Sequence, residues 1–315
     1  MNHGILILVV ITFWLMRFAP NAIAASPPLP DLLQQTRFIA YTPRSFSLAG
    51  GKVRAATEAG IRKDLVLLRP YFNGLITYSA INGLENIPRI AEGLAYRALI
   101  LGIWDPSSEI ELRNVIHAAQ KYPNLIGAII VGNEGLYTKR YQQQDVQKAR
   151  ARIKKTLPGL PVTTSEPFFL YFEPEYHQFF NDHDLLMPNI HPVFEKWFTP
   201  AAPIPGVEMV VNMAEKFKTA YSRPLLIKET GMPSGPREQG FSPKQQALFW
   251  SELHKRFPFS PHQALACFEA FDAPWKPAEM AVTLPGDHRG EGSWGFFTTE
   301  GKEKPVVDIL PRKHD

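Results

Sequence analysis

Residues 125–135 read LIGAIIVGNEG: seven apolar or small residues in a nearly unbroken run, then Gly132-Asn133-Glu134-Gly135. A run of this kind is expected of a parallel strand covered on both faces. The abrupt change at its carboxyl end is where a polar group emerges from the sheet. Seven further short β-branched or aromatic runs stand on either side of it. They are Phe38–Thr42, Gly74–Ser79, Ala98–Trp104, Pro161–Glu166, Leu185–His191, Pro224–Glu229 and Ala264–Phe271. The eight starts are spaced about 32 residues apart, and helix-period segments fill the gaps, which is the pattern of repeated βα units. The expected fold class is therefore α/β, a single-domain (β/α)8 TIM barrel, with nothing left over for a second domain.

The amphipathic segments between the runs are Lys52–Leu68, Glu109–Lys121, Asp145–Leu157, Val207–Tyr221 and Pro243–Phe257. Ser242-Pro243 supplies a helix cap followed by proline in the first turn. The 29 prolines are scattered as turn punctuation, except in TPAAPIPG, residues 199–206, which is expected to be a long loop over the barrel mouth.

Composition excludes several classes. With 315 residues, 45% hydrophobic and 12% aromatic, the chain can bury a sizeable core and is not disordered. One cysteine, Cys267, rules out an intramolecular disulfide framework and any multi-cysteine metal site. The net charge of +4 comes without a basic tail, so neither nucleic acid nor an acidic surface is an expected partner. Lys148, Arg150, Arg152, Lys154 and Lys155 share one helix without interleaved aromatics, as a solvated face does.

Near the amino end, Ile5–Met16 is a dozen apolar residues, followed by Arg17 and by Ala22-Ile23-Ala24. This is a short apolar region with an A-x-A cleavage site. Residues 1–24 are expected to be a signal peptide, residues 25–36 a proline-rich leader and residues 37–315 the catalytic barrel. Export to the periplasm or beyond follows. The alternative is an uncleaved inner-membrane anchor, because the positive region before the apolar run is weak.

In such a barrel the active site is built at the carboxyl ends of the strands. Strand four ends on Glu134 and strand seven on Glu229, three positions apart around an eight-strand circle. Two carboxyls facing each other about 5 to 5.5 Å apart are what a retaining glycosidase needs, one to attack the anomeric carbon and one to protonate the leaving oxygen. Their mutual repulsion keeps the acid protonated while the nucleophile is ionised. A glutamate that ends a strand is most often simply solvated, so the case rests on having two on opposed strands. Aromatics at or just past strand ends add to it: Tyr41, Tyr78, Trp104, Phe168, Phe194, Trp197 and Trp275.

Competing constellations are weaker. In Gly231-Met232-Pro233-Ser234-Gly235 the serine is displaced by one from a nucleophile elbow. Ala49-Gly50-Gly51-Lys52 lacks the spacing of a phosphate loop. His177, Asp182, His183 and Asp184 contain no helical H-E-x-x-H pair, so no metal is expected.

Taken together, FIAYTPR (38–44), LITYS (75–79), ALILGIW (98–104), VGNE (131–134), PVTTSEP (161–167), ETGMPSG (229–235), FEAFDAPWK (268–276) and EGSWGFF (291–297) resemble glycoside hydrolase family 17. The resemblance covers roughly residues 37–307 and lies nearer the bacterial and fungal branch than the plant one. It implies a retaining β-1,3-glucanase or glucan transglycosylase, with Glu134 as acid/base and Glu229 as nucleophile. It further implies that Asn133 hydrogen-bonds the sugar 2-hydroxyl and that Tyr41, Tyr78, His191, Trp197, Trp275 and Lys276 contribute to substrate binding.

Three departures from the family pattern stand out. Met232 replaces a tryptophan, Ala273 replaces the glutamate before P-W-K, and NIHPVFEKWF keeps His191, Pro192 and Trp197 in a different arrangement. The expected activity is hydrolysis of β-1,3-glucan through a covalent intermediate without a cofactor. A glucanosyltransferase on the same site and a noncatalytic β-glucan-binding protein are the alternatives. No protein partner is expected, and the protein is expected to be a monomer.

Overall fold

The computed structural model describes residues 27–283 and 286–311. The expected signal peptide lies outside the described residues. The leader turns helical as α1 (Leu29–Gln35), whose Leu32 and Leu33 are buried. Next come β1 (Phe38–Ala40), a hairpin of β2 (Ser47–Ala49) and β3 (Lys52–Arg54), α2 (Glu58–Leu68), β4 (Gly74–Ile76) and α3 (Ile87–Gly93). The middle of the chain forms β5 (Ala98–Ile103), α4 (Glu109–Lys121), β6 (Ile126–Asn133), α5 (Gln143–Thr156), β7 (Val162–Ser165) and α6 (Pro174–Asn181). The last elements are α7 (Ile204–Ala220), β8 (Leu225–Ile227), α8 (Pro243–Arg256), β9 (Gln263–Leu265) and α9 (Lys276–Thr283).

The ring closes through parallel pairing. Strands β1, β4, β5, β6 and β7 form one sheet, and β8 pairs with β9. The sixth position has no regular strand. The segment around residues 185–190 instead joins both neighbours through parallel bridges of Asn189 to Pro167 and Glu229 and of Leu186 to Leu225. Pro188 explains the irregularity: it lacks an N–H and can only accept, here from Lys228 N at 3.0 Å. Ile39 bridges Cys267 to close the circle, with Cys267 N donating to Phe38 O and Ala40 N to Cys267 O, both at 2.9 Å.

The two-residue period of the strands sorts the core into two shells. Facing inward are Phe38, Ile76, Ala98, Ile100, Ala128, Ile130 and Leu226, which pack with Leu32 and Leu33 of α1 into an apolar barrel floor. Facing outward toward the helices are Ile39, Leu75, Leu99, Leu101, Ile129, Val131, Leu225 and Ile227.

Two expectations are corrected. Lys52–Leu68 is not one helix, because Gly50 and Gly51, at φ +57° and +74°, make the turn of the β2–β3 hairpin. Helix α2 starts later, where the Thr57 side chain caps Gly60 N at 3.1 Å. The 199–206 loop is shorter than expected, because α7 begins at Ile204. By contrast Ser242 caps α8 as the sequence implies, with Pro243 in the first turn.

Candidate active site

The carboxyl end of β6 carries an irregularity. Ile130 pairs with Thr163 but Asn133 pairs with Ser165, so β6 holds one more residue than β7 over the same stretch. Extra residues of this kind occur at barrel rims and re-aim side chains. Gly132 at φ +83° permits the bend, and a Cβ there would lie 2.1 Å from the Tyr141 hydroxyl. Glu134 follows at φ +53°, a left-handed conformation that costs a non-glycine residue roughly 1 kcal/mol or more.

Neighbouring groups hold this geometry. Buried Glu166 accepts from Leu136 N and the Tyr141 hydroxyl at 3.0 Å and from Tyr137 N at 3.2 Å. Arg140 bonds the carbonyls of Trp104 and Asn133 at 2.7 and 2.5 Å, with its guanidinium 3.9 Å over the Trp104 ring.

Glu134 Oε1 accepts from Asn189 Nδ2 at 2.8 Å. The same Nδ2 lies 3.2 Å from Asn133 Oδ1, while Asn189 Oδ1 accepts from the Ser165 hydroxyl at 3.0 Å, which fixes the orientation of the amide.

Facing it at the end of β8, Glu229 is ringed by donors. Lys228 Nζ bonds Glu229 Oε1 and also Asn133 Oδ1 at 2.6 Å. The Tyr78 hydroxyl donates to Glu229 Oε1 at 3.0 Å, and His191 Nε2 lies 3.3 Å from Oε2. An unbroken chain of polar contacts thus runs from Glu134 through Asn189, Asn133 and Lys228 to Glu229. Behind Glu229, the His191 ring stands edge-on to Phe268 and Trp294, with ring centroids 5.4 and 5.1 Å away.

The two carboxyls are pushed in opposite directions. Burial raises Glu134 above the ordinary carboxylate range, and the negative charge of Glu229 adds to the effect. Burial acts upward on Glu229 too, but the Lys228 charge and the His191 contact outweigh it and hold Glu229 well below that range. Lys228 itself is pulled down by burial and pushed back up by Glu229. The surroundings therefore favour the protonated form of Glu134 and the ionised form of Glu229, the directions that an acid and a nucleophile would require.

Most of the residues expected at the site converge there. Glu134, Glu229, Asn133, Tyr78 and His191 share the network just described. Lys276 sits beside it, its Nζ 2.6 and 2.7 Å from the two oxygens of Glu269. Burial pushes Glu269 up to about 7 against the pull of Lys276. Trp275 lines an adjoining cleft of about 160 Å³ with Glu269, Arg44 and Phe46, and its ring meets Phe46 edge-on.

Two expected residues stand apart. Tyr41 is 1% exposed, and its hydroxyl donates to Asp64 Oδ2 at 3.2 Å, so it braces the loop after β1 and offers no surface to a sugar. Trp197 is half exposed and packs against Phe198, with no hydrogen bond to either carboxyl among the described residues.

Two of the departures are answered by residues elsewhere in the chain. Ala273 does not leave Lys276 without a carboxylate, because Glu269 supplies one from seven residues upstream. Met232 is fully buried in the outer core, and the aromatic wall behind Glu229 comes from Phe268 and Trp294. Of the weaker metal constellation, His183 Nδ1 lies 2.8 Å from Phe179 O, and Asp184 is tied to Lys154 Nζ and Val162 N.

Sequence reasoning assigned no role to Lys228, Asn189, Glu166 or Glu269. Glu166 carried a signal as the polar end of the run Pro161–Glu166, and so did Lys228. Lys228 lies two residues after the inward-facing Leu226, so strand alternation aims it into the barrel.

Comparisons with known proteins bear on the family and the fold. The family model described as the BtgE/BtgC glycoside hydrolase domain matches residues 39–295. A glucan 1,3-beta-glucosidase of Arthroderma benhamiae is 24% identical over 270 residues, covering 81% of this chain and 86% of that protein. Among solved structures, the family 17 β-1,3-glucanosyltransferase of Rhizomucor miehei superposes with a TM-score of 0.64 at 20% identity, covering 88% of this chain and 98% of that one. The endo-laminarinase of Formosa Hel1_33_131 gives a TM-score of 0.69 at 18% identity, covering 90% and 91%.

Proposed function

Given that the chain belongs to the BtgE/BtgC glycoside hydrolases, within glycoside hydrolase family 17, we propose that it cleaves β-1,3-glucan with retention through a glycosyl ester on Glu229. The observation that carries this reading is the opposed polarisation of a partly buried carboxyl, Glu134, and a buried one, Glu229, on one hydrogen-bonded network. In the first step a Glu229 oxygen attacks the anomeric carbon while Glu134 gives its proton to the departing glycosidic oxygen. In the second, Glu134, now ionised, takes a proton from water as the water oxygen displaces Glu229. In this reading Asn133 meets the sugar 2-hydroxyl, and Tyr78 and His191 hold the nucleophile. The names of the relatives point to β-1,3-linked glucose polymers as the substrate class.

A glucanosyltransferase is the second reading. It is favoured by Tyr137 and Phe169, both exposed beyond β6 and β7, which meet edge-on with centroids 5.4 Å apart and offer an acceptor sugar an apolar platform near the acid. Export, cleavage after Ala24 and a monomeric state belong to the same proposal. No helix among the described residues is long and apolar enough to cross a membrane.

Incubating residues 25–315 with laminarihexaose and following product masses over time tests the reading. Shorter products alone mean hydrolysis, and products longer than the substrate mean transfer. An unchanged substrate that binds saturably means a noncatalytic glucan-binding barrel and overturns the proposal.

A further inference from the structure

Among the described residues Lys228 is the most deeply buried lysine or arginine, and its cost needs an explanation. It is 1% exposed, and the inward side chain preceding it on β8 is the apolar Leu226 of the barrel floor. Its Nζ touches Glu229 Oε1 and Asn133 Oδ1 and stands 4.3 Å over the Tyr78 ring. A buried ion pair seldom repays the desolvation of its two members, so a stability role is a weak account of it.

We propose that Lys228 is a positioning residue for the second chemical step, shortening the life of the glycosyl ester by holding its charge against the Glu229 carboxylate as that group leaves. The inference rests on the proposed reaction. While the ester exists, Glu229 is neutral, and the ammonium faces an oxygen that has lost its charge. As the water oxygen bonds to the anomeric carbon, the bond from that carbon to Glu229 breaks and its electron pair returns to the carboxylate. The water proton passes to Glu134. Negative charge thus develops within hydrogen-bond reach of a cation already in place, between a lysine 1% exposed and a glutamate 6% exposed, so the pair is worth more in the transition state than in the ester. Either carboxylate oxygen serves as leaving atom, because the charge spreads over both.

The test is to load the full mature protein with 2-deoxy-2-fluoro-β-laminaribiosyl fluoride, remove the excess and follow two readouts. These are the mass of the adduct and the recovery of laminarihexaose cleavage. Lys228→Gln keeps a hydrogen-bond donor but no charge, and Lys228→Arg keeps the charge. The adduct of Lys228→Gln should persist roughly tenfold to a hundredfold longer than that of the wild type, the range expected for one charge-assisted hydrogen bond. Lys228→Arg should recover most of the wild-type rate. Lys228→Met serves in the same comparison if Lys228→Gln does not fold. Adducts of equal lifetime in the wild type and the uncharged variants overturn the inference and leave the reaction standing. A wild-type protein that accepts no label overturns both.

Discussion

The ends of β6 and β8 present the same side chain in the same kind of place and treat it in opposite ways. Glu134 is partly buried and Glu229 buried at the barrel mouth, and both feel a desolvation that favours the protonated form. What separates them is the company each keeps. Glu134 is preceded by an asparagine and accepts from the neutral amide of Asn189. Glu229 is preceded by a lysine in contact with its carboxylate and takes further contacts from Tyr78 and His191. The identity of one flanking residue and the charge of the donors push the two apart, Glu134 toward its protonated form and Glu229 toward its ionised one.

The largest effect should come from deleting the two carboxyls in turn. Glu229→Ala should lose activity by about 10⁴-fold or more with every leaving group, because no covalent intermediate can form. Glu134→Ala should lose about 10² to 10⁴-fold on natural glucan but keep a fast first step with a dinitrophenyl glycoside, whose leaving oxygen needs no proton. Azide should rescue the first variant with inverted product and the second with retained product. Product anomers read by NMR check this, and the reverse pattern would exchange the two roles.

Next in size, Lys228→Met should narrow the contrast from the nucleophile side. Activity requires Glu229 ionised, so its low value keeps the acid limb of the pH–rate profile below the ordinary carboxylate range. Removing the cation raises the Glu229 pKa, and the acid limb of kcat/KM should move up by about one pH unit or more. A stationary limb would show that Lys228 does not set the charge of Glu229.

Asn189→Ala should act on the other partner and in the other limb. Its amide stabilises ionised Glu134, so its loss should raise the Glu134 pKa and move the alkaline limb upward by about one unit. The acid limb should stay in place.

Leu33→Ala should have the smallest effect on chemistry. It opens a hole in the apolar floor at the opposite end of the barrel and should cost about 2 to 5 kcal/mol of stability, read by denaturant melts. Both pH limbs should be unchanged. A shift in either would mean that the contrast at the mouth depends on global packing and not on neighbouring charges.

How far the sequence spoke for itself follows the range of the interactions involved. Seven of the eight runs contain regular strands because each is a local apolar pattern, and the eighth, Leu185–His191, is reduced to bridges where Pro188 interrupts it. Glu134 and Glu229 were legible as the polar ends of such runs. Glu166 ends a run in the same way, but neither its role nor that of Asn189 was legible, because each acts across strands on a residue 30 or 55 positions away. Tyr41 sits at a strand end as expected, but its partner Asp64 on α2 turns it to a structural use that no local pattern announces. The exchange of Ala273 for Glu269 as the source of the carboxylate for Lys276 was hidden for a related reason. A missing residue is visible in a motif, whereas its replacement from elsewhere in the chain is visible only once the chain is folded.

The most direct measurement is a carbon-13 titration of the glutamate carboxyls in the mature protein, with two resonances assigned by their loss in Glu134→Gln and Glu229→Gln. The Glu134 signal should titrate above the ordinary carboxylate range, and the Glu229 signal should remain ionised well below it. Two signals titrating together within the ordinary range, or in the reverse order, would contradict the division of roles between the two strand ends.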